Sequence, residues 1–190
     1  TYRIYKEREY TFNSIRQYNR NRLLWRDNTV DGVKTGHTEA AGYCLVASAI
    51  RDNMRLISVI LGAESDKTRT QSSLSLLNYG YRYFETHRLY RANEVLKTAR
   101  IWYGDQEQIA MGVESDIYIT IPRGRYRDLQ ASMEIDSEIN APVAQGQEMG
   151  VVNVKLDDKI VVNESIVATH AVDDGGLWIK TLDSIKLMFK

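Results

Sequence analysis

Two apolar runs, Gly42 to Ile50 and Arg55 to Gly62, are separated only by Arg51-Asp52-Asn53-Met54. Runs of that length around so short a polar connection read as an antiparallel hairpin. Apolar and polar residues barely alternate in either run, which is the pattern of strands buried on both faces, so the pair belongs in the middle of a sheet. A helix should cover it. Asp66 to Arg88 carries Leu74, Leu77, Tyr81 and Phe84 at steps of three and four, with Ser65 or Asp66 available as the N-cap. Strands followed by a covering helix make a two-layer α+β arrangement.

Upstream, Tyr10, Phe12 and Ser14 alternate with Thr11, Asn13 and Ile15, which favours one strand, while Tyr18 to Arg22 reads as a polar turn or exposed segment before Leu23-Leu24-Trp25 packs. Downstream the texture changes from about Arg100, and the polar stretch Tyr90 to Thr98 is the best boundary. Ile117, Ile119 and Ile121 alternate, Met133 and Ile135 begin another strand, and Val152, Val154 and Leu156 alternate before Asp157-Asp158-Lys159. Ile160 to Val162 and Ser165 to Val172 complete a series expected to form a small all-β sandwich or barrel. After Gly175-Gly176, the residues Leu177, Trp178, Ile179, Leu182, Ile185, Met188 and Phe189 fall on one helical side, with Lys180, Asp183, Ser184, Lys186 and Lys190 on the rest. Such a helix fits an interfacial membrane anchor or a helix docked on its own β domain, and periodicity leaves both open.

Charge excludes some function classes. Lys plus Arg and Asp plus Glu each number 25, so no overall field draws the chain to nucleic acid, and the arginines interleaved with tyrosines near the start read as a solvated face. The single cysteine, Cys44, rules out an internal disulfide and sits in an apolar run as a small core residue. His37, His87 and His170 have no second ligand at metal spacing, so neither a metal nor another cofactor is expected. No apolar stretch approaches the roughly 20 residues of a spanning helix, and the first ten residues are no signal peptide, which suggests a start in mid-domain.

The stretch that carries chemistry is Val30 to Tyr43, V-D-G-V-K-T-G-H-T-E-A-A-G-Y. Lys34 and Thr35 flank one backbone step and offer an ammonium, a hydroxyl and main-chain N–H to a single anionic oxygen. Gly36 leaves room for a ligand backbone to lie against the strand. The pattern is that of a carboxylate-binding edge.

D-G-V-K-T-G-H-T-x-x-A-G-Y-x-L-V-A-S-A resembles the D-alanyl-D-alanine carboxypeptidases, the low-molecular-mass penicillin-binding proteins of the five and six type. The resemblance takes in I-R-Q-Y-N-R-N-x-L-L-W (Ile15 to Trp25), M-R-L-I-S-V-I-L-G (Met54 to Gly62), I-P-R-G-R (Ile121 to Arg125) and the closing I-K-L-M-F (Ile185 to Phe189). It implies that residues 1–92 are the C-terminal part of a transpeptidase-like catalytic domain, 93–174 a β-sandwich domain, and 175–190 the beginning of a membrane-anchor helix. Lys34, Thr35 and Gly36 would bind the terminal carboxylate of a peptidoglycan stem peptide ending in D-Ala-D-Ala, or the carboxylate of a β-lactam. The His37 backbone N–H would be one donor of the oxyanion hole. Arg20, in the N-R-N segment, and Arg69, after the sheet, are the implied carboxylate-positioning cations. Arg22 stands where relatives often carry glycine.

The family forms an acyl-enzyme on the serine of Ser-x-x-Lys, with a Ser-x-Asn motif nearby. No serine here has lysine three residues on, and none opens Ser-x-Asn. The expectation is therefore a chain that supplies the substrate-holding wall, partnered by an N-terminal part of the same enzyme, on the periplasmic side of the bacterial inner membrane. The competing reading is a non-catalytic β-rich interaction or spacer module at the membrane surface.

Overall fold

A computed structural model describes residues 2–188. Phe189 and Lys190, which periodicity assigns to the last helix, lie outside the described residues. The chain divides into two compact units, one running through Thr86 with Thr120–Arg123 added, the other His87–Ile119 with Gly124 onward.

The first unit begins with α1 (Tyr2–Tyr5), β1 (Glu9–Phe12), β2 (Ile15–Tyr18) and α2 (Leu23–Arg26). The single strand expected over Tyr10 to Ile15 is instead a hairpin, because Asn13 and Ser14 take φ of 47° and 64° and reverse the chain. Positive φ at both central residues is what a two-residue hairpin turn needs to match strand twist. The segment Tyr18 to Arg22 is likewise more than an exposed turn. Asn21 is buried, donates from Nδ2 to Gly32 O at 3.1 Å and accepts from Leu23 N–H at 3.1 Å. Leu23 and Leu24 are buried beneath it, whereas Trp25 stays 44% exposed.

Next come β3 (Val30–Thr38), β4 (Gly42–Arg51) and β5 (Met54–Ala63), antiparallel in the order β3-β4-β5. The expected hairpin is present, closed by Asp52 and Asn53 at φ of 47° and 64°. Strand β4 is central and largely buried. Among the described residues β5 is not buried on both faces as its composition suggests: it has β4 as its one strand neighbour, and Ile57, Val59 and Leu61 are exposed. Only one of its faces meets α3 (Asp66–Tyr83). There Ser58 Oγ and Ser73 Oγ lie 2.5 Å apart, both buried. Gly80 serves close approach, since a Cβ at that position would come within 2.4 Å of Leu56 Cδ1. Leu23, Leu24, Val30, Leu45, Ala47, Ala49 and Leu77 form the core of this unit.

Helix α3 starts at an Ser65 N-cap that accepts from Thr68 N–H at 3.1 Å. It ends at Tyr83, five residues before the expected Arg88, and Phe84 opens a strand, β6 (Phe84–Tyr90), rather than a last helical turn. Arg123 accounts for the stop. Its guanidinium donates to Tyr81 O at 2.9 Å, Arg82 O at 3.2 Å and Phe84 O at 3.2 Å, satisfying the carbonyls that a helix end leaves without partners.

After β6 come β7 (Val95–Trp102), β8 (Gln108–Gly112), β9 (Ile117–Pro122), which begins in the second unit and ends in the first, and then, in the second unit, β10 (Gln130–Ile135), β11 (Ile139–Asn140), β12 (Glu148–Leu156), β13 (Lys159–Ala168) and α4 (Gly176–Met188). Six strands form one sheet in the order β10-β12-β13-β8-β7-β11, and β6 pairs with β9. The architecture is α+β, with a second unit that is all-β apart from α4 and one 3-10 turn at Tyr126–Asp128. Strand β7 escapes a period-two reading because its ladder slips between Val95 and Lys97, which puts successive apolar residues out of phase. The two segments expected at Ile160 to Val162 and Ser165 to Val172 are one strand ending at Ala168.

Helix α4 turns Asp183 inward, with Ile179, Lys180 and Leu187 half-buried beside it. Asp183 is buried, its Oδ2 accepting from Tyr103 N–H at 2.9 Å and its Oδ1 from Arg100 Nη2 at 3.0 Å. Leu177, Trp178, Leu182, Ile185 and Met188 are exposed along the opposite arc. No helix among the described residues is long and apolar enough to cross a membrane.

Candidate substrate-binding groove

Strand β3 places Lys34 and Thr35 one step apart beside its central neighbour, with Lys34 opposite Val46, Gly36 opposite Cys44 and His37 opposite Tyr43. Lys34 is exposed, and its Nζ donates to Thr35 O at 2.6 Å. The His37 ring leans on Tyr43 with centroids 4.0 Å apart. Lys34, Thr35, Gly36 and His37 line one wall of an open groove of about 720 Å³. Arg20 and Arg69 line the same groove, so the structure gathers all six predicted site residues around one space.

Arg20 is exposed and is set in place by its neighbours. Asn19 donates from Nδ2 to Tyr5 O at 3.2 Å and Glu7 O at 3.0 Å, and its Oδ1 accepts from Asn21 N–H at 2.9 Å. With Asn21 anchored on Gly32 O, the asparagines on either side of Arg20 fix the backbone that presents it.

Arg69 differs: it is 4% exposed and its donors are engaged. Nη1 donates to Gly36 O at 2.9 Å and Cys44 O at 3.1 Å, while Nε and Nη2 reach Asp66 Oδ1 at 3.0 and 2.5 Å. The guanidinium carbon lies 5.4 Å from the Tyr43 ring centroid. Arg69 therefore ties the first turn of α3 to β3 and β4 at the level of the groove.

Sequence reasoning passed over three groups that line or brace this space. Tyr43 is in the wall, opposite His37. Asp66 joins Arg69 through Oδ1 and Arg22 through Oδ2, the latter at 2.6 Å from Arg22 Nε. Asn21 was available as a signal, because a buried Asn must satisfy its amide and the N-R-N repeat brackets a cation with two such side chains. Among the described residues no three metal-ligating side chains come together.

Residues 1–65 match the family model described as D-alanyl-D-alanine carboxypeptidase, and residues 84–174 match the penicillin-binding protein 5 C-terminal domain. The chain is 46% identical over 191 residues to the D-alanyl-D-alanine carboxypeptidase DacA of Escherichia coli K12, covering 99% of this chain and 47% of that one. It is 42% identical over 190 residues to DacC of the same strain, covering 99% and 48%. The crystal structure of penicillin binding protein 5 from Haemophilus influenzae superposes with a TM-score of 0.82 at 42% identity, over 91% of this chain and 51% of that one. The chain thus spans about half the length of the curated relatives it matches. With two family models laid in order along it and relatives aligned from end to end, the chain belongs to the D-alanyl-D-alanine carboxypeptidase family of penicillin-binding proteins.

Proposed function

We propose that the whole protein is a serine-type D-Ala-D-Ala carboxypeptidase that trims the terminal D-alanine from peptidoglycan stem peptides and is acylated by β-lactams. The observation that carries this reading is the K-T-G-H wall of the groove, faced by Arg20 and braced by Arg69. Lys34 and Thr35 hold the substrate's terminal carboxylate, and Gly36 admits its backbone alongside β3. The His37 N–H is a donor to the oxyanion that forms as a serine hydroxyl attacks the penultimate carbonyl. That serine, with the lysine that takes its proton, belongs to an N-terminal part of the enzyme not among these 190 residues. D-Alanine leaves with the proton, and water hydrolyses the acyl-enzyme.

In the same reading, residues 1–92 contribute to the catalytic domain, 93–174 form the β domain, and the arc of Leu177, Trp178, Leu182, Ile185 and Met188 starts an anchor that lies in the outer face of the inner membrane. Acylation by a reporter penicillin tests the central claim. Lys34→Ala in the full-length protein should slow acylation by about 10- to 100-fold, the effect of losing a charge-assisted hydrogen bond. Acylation of that variant at the wild-type rate, or a stoichiometric adduct on a serine of residues 2–188, would overturn the assignment.

A further inference from the structure

A second open groove, of about 630 Å³, adjoins the first and shares Asn19, Arg20, Tyr43 and Arg69 with it. Its lining brings Arg20, Arg22, Arg26 and Arg69 together with one acid, Asp66, and with the Trp25 ring. Four cations against one carboxylate is a local surplus in a chain whose charges otherwise cancel. Asp66 pairs through Oδ1 with Arg69 and through Oδ2 with Arg22, so Arg20 and Arg26 stand in the lining without an acid of their own among its residues. Arg22 meets Asp66 through Nε, which leaves the other edge of a five-donor fork, and its side chain is 67% exposed. A concave surface with aromatic walls and a surplus of positive charge concentrates potential and draws in an anion.

We infer that this groove is a second subsite, which takes a carboxylate of the ligand other than the one held at Lys34 and Thr35, and that Arg22 is its specificity-determining residue. The inference rests on the carboxypeptidase reading above. Two sources supply that chemistry: an acidic side chain on the peptide residue preceding D-Ala-D-Ala, or an acidic acyl side chain on a β-lactam. In either case the terminal carboxylate sits on β3 while the second reaches toward Arg22, held in place by Asp66.

The test uses the full-length protein and two matched pairs of ligands. One pair is benzylpenicillin and its α-carboxy derivative, carbenicillin. The other is a D-Ala-D-Ala peptide whose preceding residue carries either a free or an amidated side-chain carboxylate. For each pair the ratio of acidic to neutral ligand, in acylation rate or in kcat/KM, is measured in wild type, Arg22→Gln and Arg22→Lys. The expected result is a ratio about tenfold lower in Arg22→Gln for at least one pair, as for one lost charge-assisted hydrogen bond, with partial recovery in Arg22→Lys and a smaller ratio at high salt. The pair that responds identifies the source. Ratios unchanged by Arg22→Gln in both pairs would overturn the subsite while leaving the carboxypeptidase assignment standing. Failure of the wild type to react with any of the four would overturn both.

Discussion

Arg69 Nη1 donates to the carbonyl of Gly36 at 2.9 Å, so the first turn of α3 holds the strand that carries Lys34 and Thr35. Because the same nitrogen holds Cys44 O and the rest of the guanidinium holds Asp66, no other side chain can replace the planar fork. Arg69→Ala should destabilise the full-length protein by about 3 kcal/mol, the cost of breaking a buried ion pair from one side. Arg69→Lys should recover only part of that. Urea unfolding curves read both, and a shift below about 0.5 kcal/mol for the alanine variant would remove the bracing role, as such small shifts are typical of surface changes.

The buried hydroxyls of Ser58 and Ser73 satisfy each other across the β5–α3 contact. Ser73→Ala should cost about 1–3 kcal/mol by leaving Ser58 unpaired, whereas Ser58→Ala with Ser73→Ala should fall closer to wild type, because no orphan remains. A double-mutant cycle on denaturation midpoints measures the difference.

Asp183 titrates below the usual carboxylate range although burial pushes it up, because Tyr103 N–H, the charges of Arg100 and Lys186, and the Arg100 hydrogen bond favour the ionised form. A depressed carboxyl pKa gives stability that is complete above the unfolded value of about 3.9 and is lost as pH falls through the folded value. Protection of the α4 amides against hydrogen exchange should therefore be constant from neutral pH down to about pH 4 and fall below it. In Asp183→Asn that protection should be lower near neutrality and flatter with acid.

Ser14 holds φ of 64° in the β1–β2 turn, a conformation its side chain does not favour. Ser14→Gly should raise stability by roughly 0.5–1 kcal/mol, since relief of left-handed strain exceeds the added freedom of the unfolded chain. The change in thermal midpoint reports the sign. A decrease would show that the hydroxyl contributes more than the backbone costs.

What could be read in the residues follows from how local each signal is. The β4–β5 hairpin and the Ser65 start of α3 are written in short windows of apolar periodicity and capping, and both are present. K-T-G-H is contiguous, so its placement along one wall needed only the strand. The end of α3 could not be found that way, because the residue that satisfies its carbonyls is Arg123, about forty positions later. The direction in which α4 faces was equally hidden. An arc of Trp178, Leu182 and Ile185 has the same period whether it points in or out, and the choice is made by Asp183 finding Tyr103 and Arg100. The surplus of arginine beside the groove arises only in three dimensions, from α2, the N-R-N segment and the first turn of α3.

Among the described residues β5 has a strand partner on one side only, and it shows Ile57, Val59 and Leu61 on its uncovered face. Such a border is a template for stacking copies of the chain into aggregates, so preparations of these 190 residues alone should lose solubility with rising concentration. A lysine gatekeeper introduced at Val59 would keep them dispersed without disturbing Lys34 on the far side of β4.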